Sequence, residues 1–116
     1  MRSRTTYQRG LFAEFLARMY LRLHGFRIIE SRYITGRHTN RAEIDIIARR
    51  RNLLLFIEVK NRPTLDLSFS AITPPQIVRL RRAAETYISH IGWRGDARFD
   101  VISVSGWRLR WIKNCI

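Results

Sequence analysis

Apolar residues near the start of the chain recur at helical spacing. Phe12, Phe15, Leu16, Met19 and Leu23 predict a helix over Tyr7 to His24, and Gly25 is a natural stop for it. Its few polar positions include the stripe Glu14, Arg18 and Arg22, spaced four apart. The stretch Phe26 to Ile34, FRIIESRYI, is rich in β-branched and aromatic residues and predicts a strand. A polar, basic turn follows, and then AEIDIIA (42–48) and LLLFIEVK (53–60) predict two more strands joined by RRRN. Their apolar content on both faces suits the centre of a covered sheet. NRPTLDLSFSA (61–71) reads as a loop. Thr73, Pro74 and Gln76 then form a capping-box start with proline at the first helical position. The helix that follows carries Ile77, Leu80, Ala84, Tyr87, Ile88 and Ile91 on one face and ends at Gly92. ARFDVISV (97–104) and WRLRWI (107–112) predict two closing strands. The order α-β-β-β-α-β-β implies one layered α/β domain over residues 1–116, a mixed sheet with flanking helices.

Charged residues interrupt this pattern where a sheet core should be purely apolar. Strand alternation puts Glu58 and Lys60 on one face with Leu54 and Phe56, and Leu53, Leu55, Ile57 and Val59 on the other. The same rule places Glu43 and Asp45 together, opposed by Ile44 and Ile46. A short loop joins the two strands, so they are expected to pair as a hairpin that brings Asp45, Glu58 and Lys60 to one end of the sheet. Buried charges are costly unless they pair with each other or hold a metal. Two carboxylates and waters suit Mg²⁺, with Mn²⁺ as an alternative, and the carbonyl of Val59 is a further expected ligand. A lysine beside them can orient a water or offset charge developing on a phosphate. An ion pair of Lys60 with either acid is the plainer reading of the same residues.

Composition strengthens the first reading. Lysine and arginine number 22 against nine acids, a formal net charge of +13, and only Lys60 and Lys113 are lysines. Arginine forks suit phosphate, and such an excess implies a polyanionic partner, nucleic acid above all and DNA first. Arg37, Arg41, Arg49, Arg50, Arg51 and Arg79 are the expected phosphate contacts, with a solvated basic surface as the alternative. Trp93, Trp107 and Trp111 are candidates for base stacking, although sheet packing is expected for at least two of them. Cys115 has no partner for an intrachain disulfide, His24, His38 and His90 show no metal spacing, and no signal peptide or membrane span is read, so a cytoplasmic protein is expected.

Asp45 followed after a gap by Glu58-Val59-Lys60 resembles the PD-(D/E)XK phosphodiesterase pattern. Together with RGLFAEFLARMYLRLHGFRIIESRY, AITPPQIVRLRRAAETYI and RFDVISV it resembles the YraN-like family, small bacterial proteins of restriction-endonuclease-like fold. The resemblance runs from about Gly10 to Ile112. It implies a three-layer restriction-endonuclease-like domain and, less directly, a metal-dependent nuclease. It carries the family's acidic helix position onto Glu14, its Gly-Glu-Ile-Asp onto Ala42 to Asp45, its Glu-Val-Lys onto Glu58 to Lys60, and its Arg-Phe-Asp onto Arg98 to Asp100. Glu14 is thereby expected to reach toward the metal, where spacing alone also allows an i, i+4 surface pair with Arg18. Ala42 stands in place of the usual glycine, and Gln76 and Ile77 in place of a Lys-Gln pair. Gln76 is thus both a capping residue and a candidate at the phosphate. A nucleic-acid-binding module without turnover and a basic protein-interaction subunit are the alternative functions.

Overall fold

The structure is a computed structural model and describes residues 6–36, 41–63 and 73–114. Its elements are α1 (Thr6–Leu23), β1 (Arg27–Thr35), β2 (Ala42–Arg50), β3 (Leu53–Asn61), α2 (Pro74–Ile91), β4 (Asp96–Ser105) and β5 (Arg108–Ile112). The five strands lie in sequence order. β1–β2, β2–β3 and β4–β5 are antiparallel, while β3–β4 is parallel because α2 crosses over between them.

The helices cover opposite faces. α2 packs Leu80, Ala83, Ala84 and Tyr87 on Ile44, Ile47, Leu54 and Phe56. α1 packs Ala13, Ala17 and Leu21 on Ile46, Ala48, Leu55, Ile57, Ile102 and Val104. This gives a mixed-sheet α/β domain of three layers.

Local signals set the helix ends. Thr73 caps α2: its side chain accepts from the Gln76 N–H, while the Gln76 side chain accepts from the Thr73 N–H. At the other end Trp93 N–H reaches Ile88 O and Gly92, at φ 67°, reaches Ser89 O. α1 closes in the same way, Phe26 N–H to Leu21 O and Gly25 N–H to Arg22 O, with Gly25 at φ 85°.

The buried face of α1 differs from the expected one. Phe15, Met19 and Leu23 are exposed, at 47%, 41% and 81%, while Ala13 and Ala17 are buried. Both stripes have helical spacing. The alanines win because small side chains let the helix backbone lie close against the flat sheet, where a Phe or Met would hold it off.

Candidate active site

β2 and β3 pair from Arg50↔Leu53 to Ile46↔Ile57, and their register ends there. At that level β2 changes face. Ile44 packs under α2 and Ile46 under α1, although strict alternation would keep them together. The neighbouring strand is irregular at the same height: between the pairs Ser31↔Ile46 and Tyr33↔Ile44 lies Arg32, at φ 56°. Such a backbone is strained for a residue with a Cβ, and strain of this kind clusters at functional sites.

Where the ladder ends, the side chain of Asp45 replaces the missing strand partner. Its Oδ2 accepts the Val59 N–H at 2.8 Å. In an extended strand a residue's N–H and C=O point to the same side, so the Val59 carbonyl also turns toward Asp45. Glu58 lies beside it, and Lys60 Nζ stands 3.9 Å from Glu58 Oε1. The expected convergence of Asp45, Glu58 and Lys60 is present.

Burial and crowding perturb both carboxyls. Desolvation, then the charge of Asp45 and a hydrogen bond to it, push Glu58 up to about 8, against a smaller opposing pull from Lys60. Desolvation also raises Asp45, and the Val59 N–H opposes that rise. Burial thus favours the protonated form of both groups, with the larger rise at Glu58, which is hydrogen-bonded to Asp45. Glu43 adds negative charge near both. Glu14 also raises Asp45, which puts it within electrostatic reach of the site. Its carboxylate is held from the other side by Arg32, with Nε to Oε1 at 3.1 Å and Nη2 to Oε2 at 3.3 Å. Glu14 thus bonds Arg32, not Arg18 on its own helix.

An open cleft of about 200 Å³ joins the pair to α2, lined by Arg41, Ala42, Glu43, Asp45, Glu58, Gln76, Arg79 and Leu80. Arg41, Gln76 and Arg79 are therefore brought to the carboxylates. Arg49, Arg50 and Arg51 are not. They sit at the opposite end of β2, with Arg49 four residues from Asp45, on the order of 13 Å along a strand. Arg49 donates to Arg51 O and covers Trp93, while Arg50 donates to His24 O and covers Phe26. Arg37 and His38 lie outside the described residues, as do Cys115 and most of the 61–71 loop.

Asp100 plays a different part. It is 1% exposed and accepts from Arg98 Nε and Nη2, Trp111 Nε1 and the Asn114 N–H. These bonds are internal, tying β5 and the chain after it to β4. Sequence reasoning missed Arg32 altogether, because its partner lies 18 residues away and nothing local marks it.

The residues fit a hard divalent cation in part. Two neighbouring half-buried carboxyls whose ionised forms burial disfavours, with a main-chain carbonyl beside them, are an oxygen donor set whose charge a cation would balance. Among the described residues no group of three or more His, Cys, Asp or Glu side chains is arranged around one metal position. Such a site would leave coordination positions to water and phosphate, as Mg²⁺ prefers.

A family model described as uncharacterised protein family UPF0102 matches residues 13–104. The chain belongs to this family. UPF0102 is the YraN-like family that the sequence resembles. Relatives include a UPF0102 protein of Paramagnetospirillum magneticum, 39% identical over 104 residues, covering 88% of this chain and 81% of its own. One from Bradyrhizobium diazoefficiens is 43% identical over 103 residues, 85% of this chain and 73% of its own. One from Cytophaga hutchinsonii is 35% identical over 104 residues, 88% of each chain. UPF0102 is thus a bacterial family. No helix among the described residues is long and apolar enough to cross a membrane.

Proposed function

We propose that this UPF0102 protein binds nucleic acid, DNA first, and hydrolyses phosphodiester bonds with Mg²⁺ or Mn²⁺, acting in the cytoplasm. The observation that carries the reading is the half-buried Asp45–Glu58 pair, which has Lys60 beside it and opens on a cleft flanked by Arg41 and Arg79. Carboxyls raised first by burial are costly to a fold, and such perturbed groups in a cleft mark functional sites.

Asp45, Glu58 and the Val59 carbonyl would hold the cation. When bound, it would supply an acidified water and polarise the phosphate. Arg41 and Arg79 neutralise and orient the entering phosphate, and the Gln76 side chain lines the cleft on the same side. With the cation bound, Glu58 would be ionised and its proton would pass to solvent. Lys60 offsets the charge that grows on the phosphate oxygens and holds the attacking water.

The test is a panel of single-stranded, duplex and RNA substrates with Mg²⁺ or Mn²⁺, run for the wild type and Lys60→Ala. Lys60→Ala should bind normally and cut at least about a hundredfold more slowly. Gln76 stands where the resemblance places a lysine, and among the described residues no third side-chain ligand joins the pair, which favours a second reading: a binding module without turnover. Equal binding by both proteins with no cleavage by either would select it. No binding by either, even at low salt, would leave a basic surface made for an acidic protein.

A further inference from the structure

Among the exposed large apolar side chains of the described residues, Leu11, Phe15, Met19 and Leu23 lie along α1, and Trp107 stands apart from them. It is 78% exposed and carries an indole, whereas Trp93 and Trp111 are partly buried and donate their N–H groups to Asp96 O and Asp100. Trp107 sits in the two-residue turn between β4 and β5, after Gly106 at φ 60°. Phe12 of α1 fixes the ring from one side, 5.0 Å between centroids at 84°.

The turn lies at the sheet end that carries the carboxylate site. β3 and β4 run parallel with Lys60 opposite Ser103 and Asn61 opposite Val104, and the turn follows Ser105 directly. Counting strand rise and spacing, Trp107 is on the order of 10 Å from Lys60 between backbones. Three exposed arginines flank it in the chain or through the fold. Arg108 is the next residue, Arg62 is bonded through its N–H to Val104 O, and Arg9 lies one turn before Phe12. The first turn of α1 carries no acid.

We propose that Trp107, with Arg9, Arg62 and Arg108, is a stacking platform for an unpaired nucleobase of the strand whose phosphate enters the Asp45–Glu58 cleft. This rests on the nucleic-acid reading above and deepens it to a substrate class: single-stranded or locally unpaired nucleic acid. An exposed indole face accepts any base, and arginines beside it track the backbone, which is the pairing that single-strand binding uses. In intact duplex the base faces are stacked on each other and out of reach.

The experiment is tryptophan fluorescence and affinity with oligothymidylate and with a hairpin duplex of equal length, in EDTA so that nothing is cut. Wild type should be quenched by oligothymidylate. Trp107→Phe should lose the quenching and keep affinity within about twofold. Trp107→Ala should bind oligothymidylate about tenfold more weakly and the hairpin as wild type does. Quenching that persists in Trp107→Phe, with unchanged affinity in Trp107→Ala, overturns the platform and leaves the nuclease reading standing. A self-association of wild type that Trp107→Ala abolishes makes the ring a contact between copies and overturns it too. Failure of wild type to bind either oligonucleotide at low salt removes both this inference and the reading under it.

Discussion

Replacing Glu58 by glutamine should make the protein more stable above neutral pH. In the folded chain Glu58 titrates at about 8 instead of 4.5, because it is half-buried beside Asp45. Below about pH 4.5 both folded and unfolded forms are protonated there and the group contributes nothing. Between about 4.5 and 8 the folded form keeps a proton that the unfolded form has released, so stability falls as pH rises. At about 1.4 kcal/mol per pH unit the loss is at most about 5 kcal/mol, and water in the open cleft should reduce it to roughly 2–3. Asp45, also raised, acts in the same direction. Glutamine keeps the shape and the donor toward Asp45 and carries no charge to desolvate. Urea unfolding of wild type and Glu58→Gln, followed from about pH 5 to about pH 9, should give curves that nearly meet at the acid end and separate by roughly 2–3 kcal/mol at the alkaline end. Parallel profiles would refute the reasoning, since they would mean that Glu58 ionises as freely in the folded chain as in the unfolded one.

Other outcomes follow from the same geometry. Manganese binding, followed by calorimetry near neutral pH, should release about one proton, seen as a dependence of the heat on the buffer, and Asp45→Asn should abolish it; equal binding by both proteins would make the acids structural. Asp100→Asn should cost about 3 kcal/mol and lower Tm by roughly 10 °C or more in a calorimetric scan, because Arg98 and Trp111 lose a buried partner. Arg41→Ala with Arg79→Ala should flatten the salt dependence of duplex binding by about two units, near 0.9 for each phosphate no longer neutralised. Arg50→Ala with Arg51→Ala should change that slope less and lower stability instead, since Arg50 holds the His24 carbonyl.

The sequence alone determined the elements and much of the site. Period 3.6 and period 2 patterns, the Thr73–Gln76 box and the glycines at the helix ends are local, and local interactions produce them whatever the rest of the chain does. Glu58 and Lys60 had to share a face with Leu54 and Phe56, because strand alternation is covalent geometry, and a short loop had to bring Asp45 near them. Tertiary structure decided what depends on contact between distant segments. Which stripe of α1 is buried turns on how closely a helix can approach the sheet, so Ala13 and Ala17 displaced Phe15 and Met19. The change of face at Asp45 arises where β2 leaves β3, and it undid the alternation that put Ile44 and Ile46 together. Charge alone could not say where Arg49 to Arg51 would lie, and the fold set them away from the carboxylates and engaged Arg49 and Arg50 with Trp93, Phe26 and main-chain oxygens. Arg32 met Glu14, Asp100 met Trp111, and Glu58 was raised by burial and by Asp45 only because folding brought these distant segments together and took them out of water. Those energies depend on dielectric and distance, and neither exists along an unfolded chain.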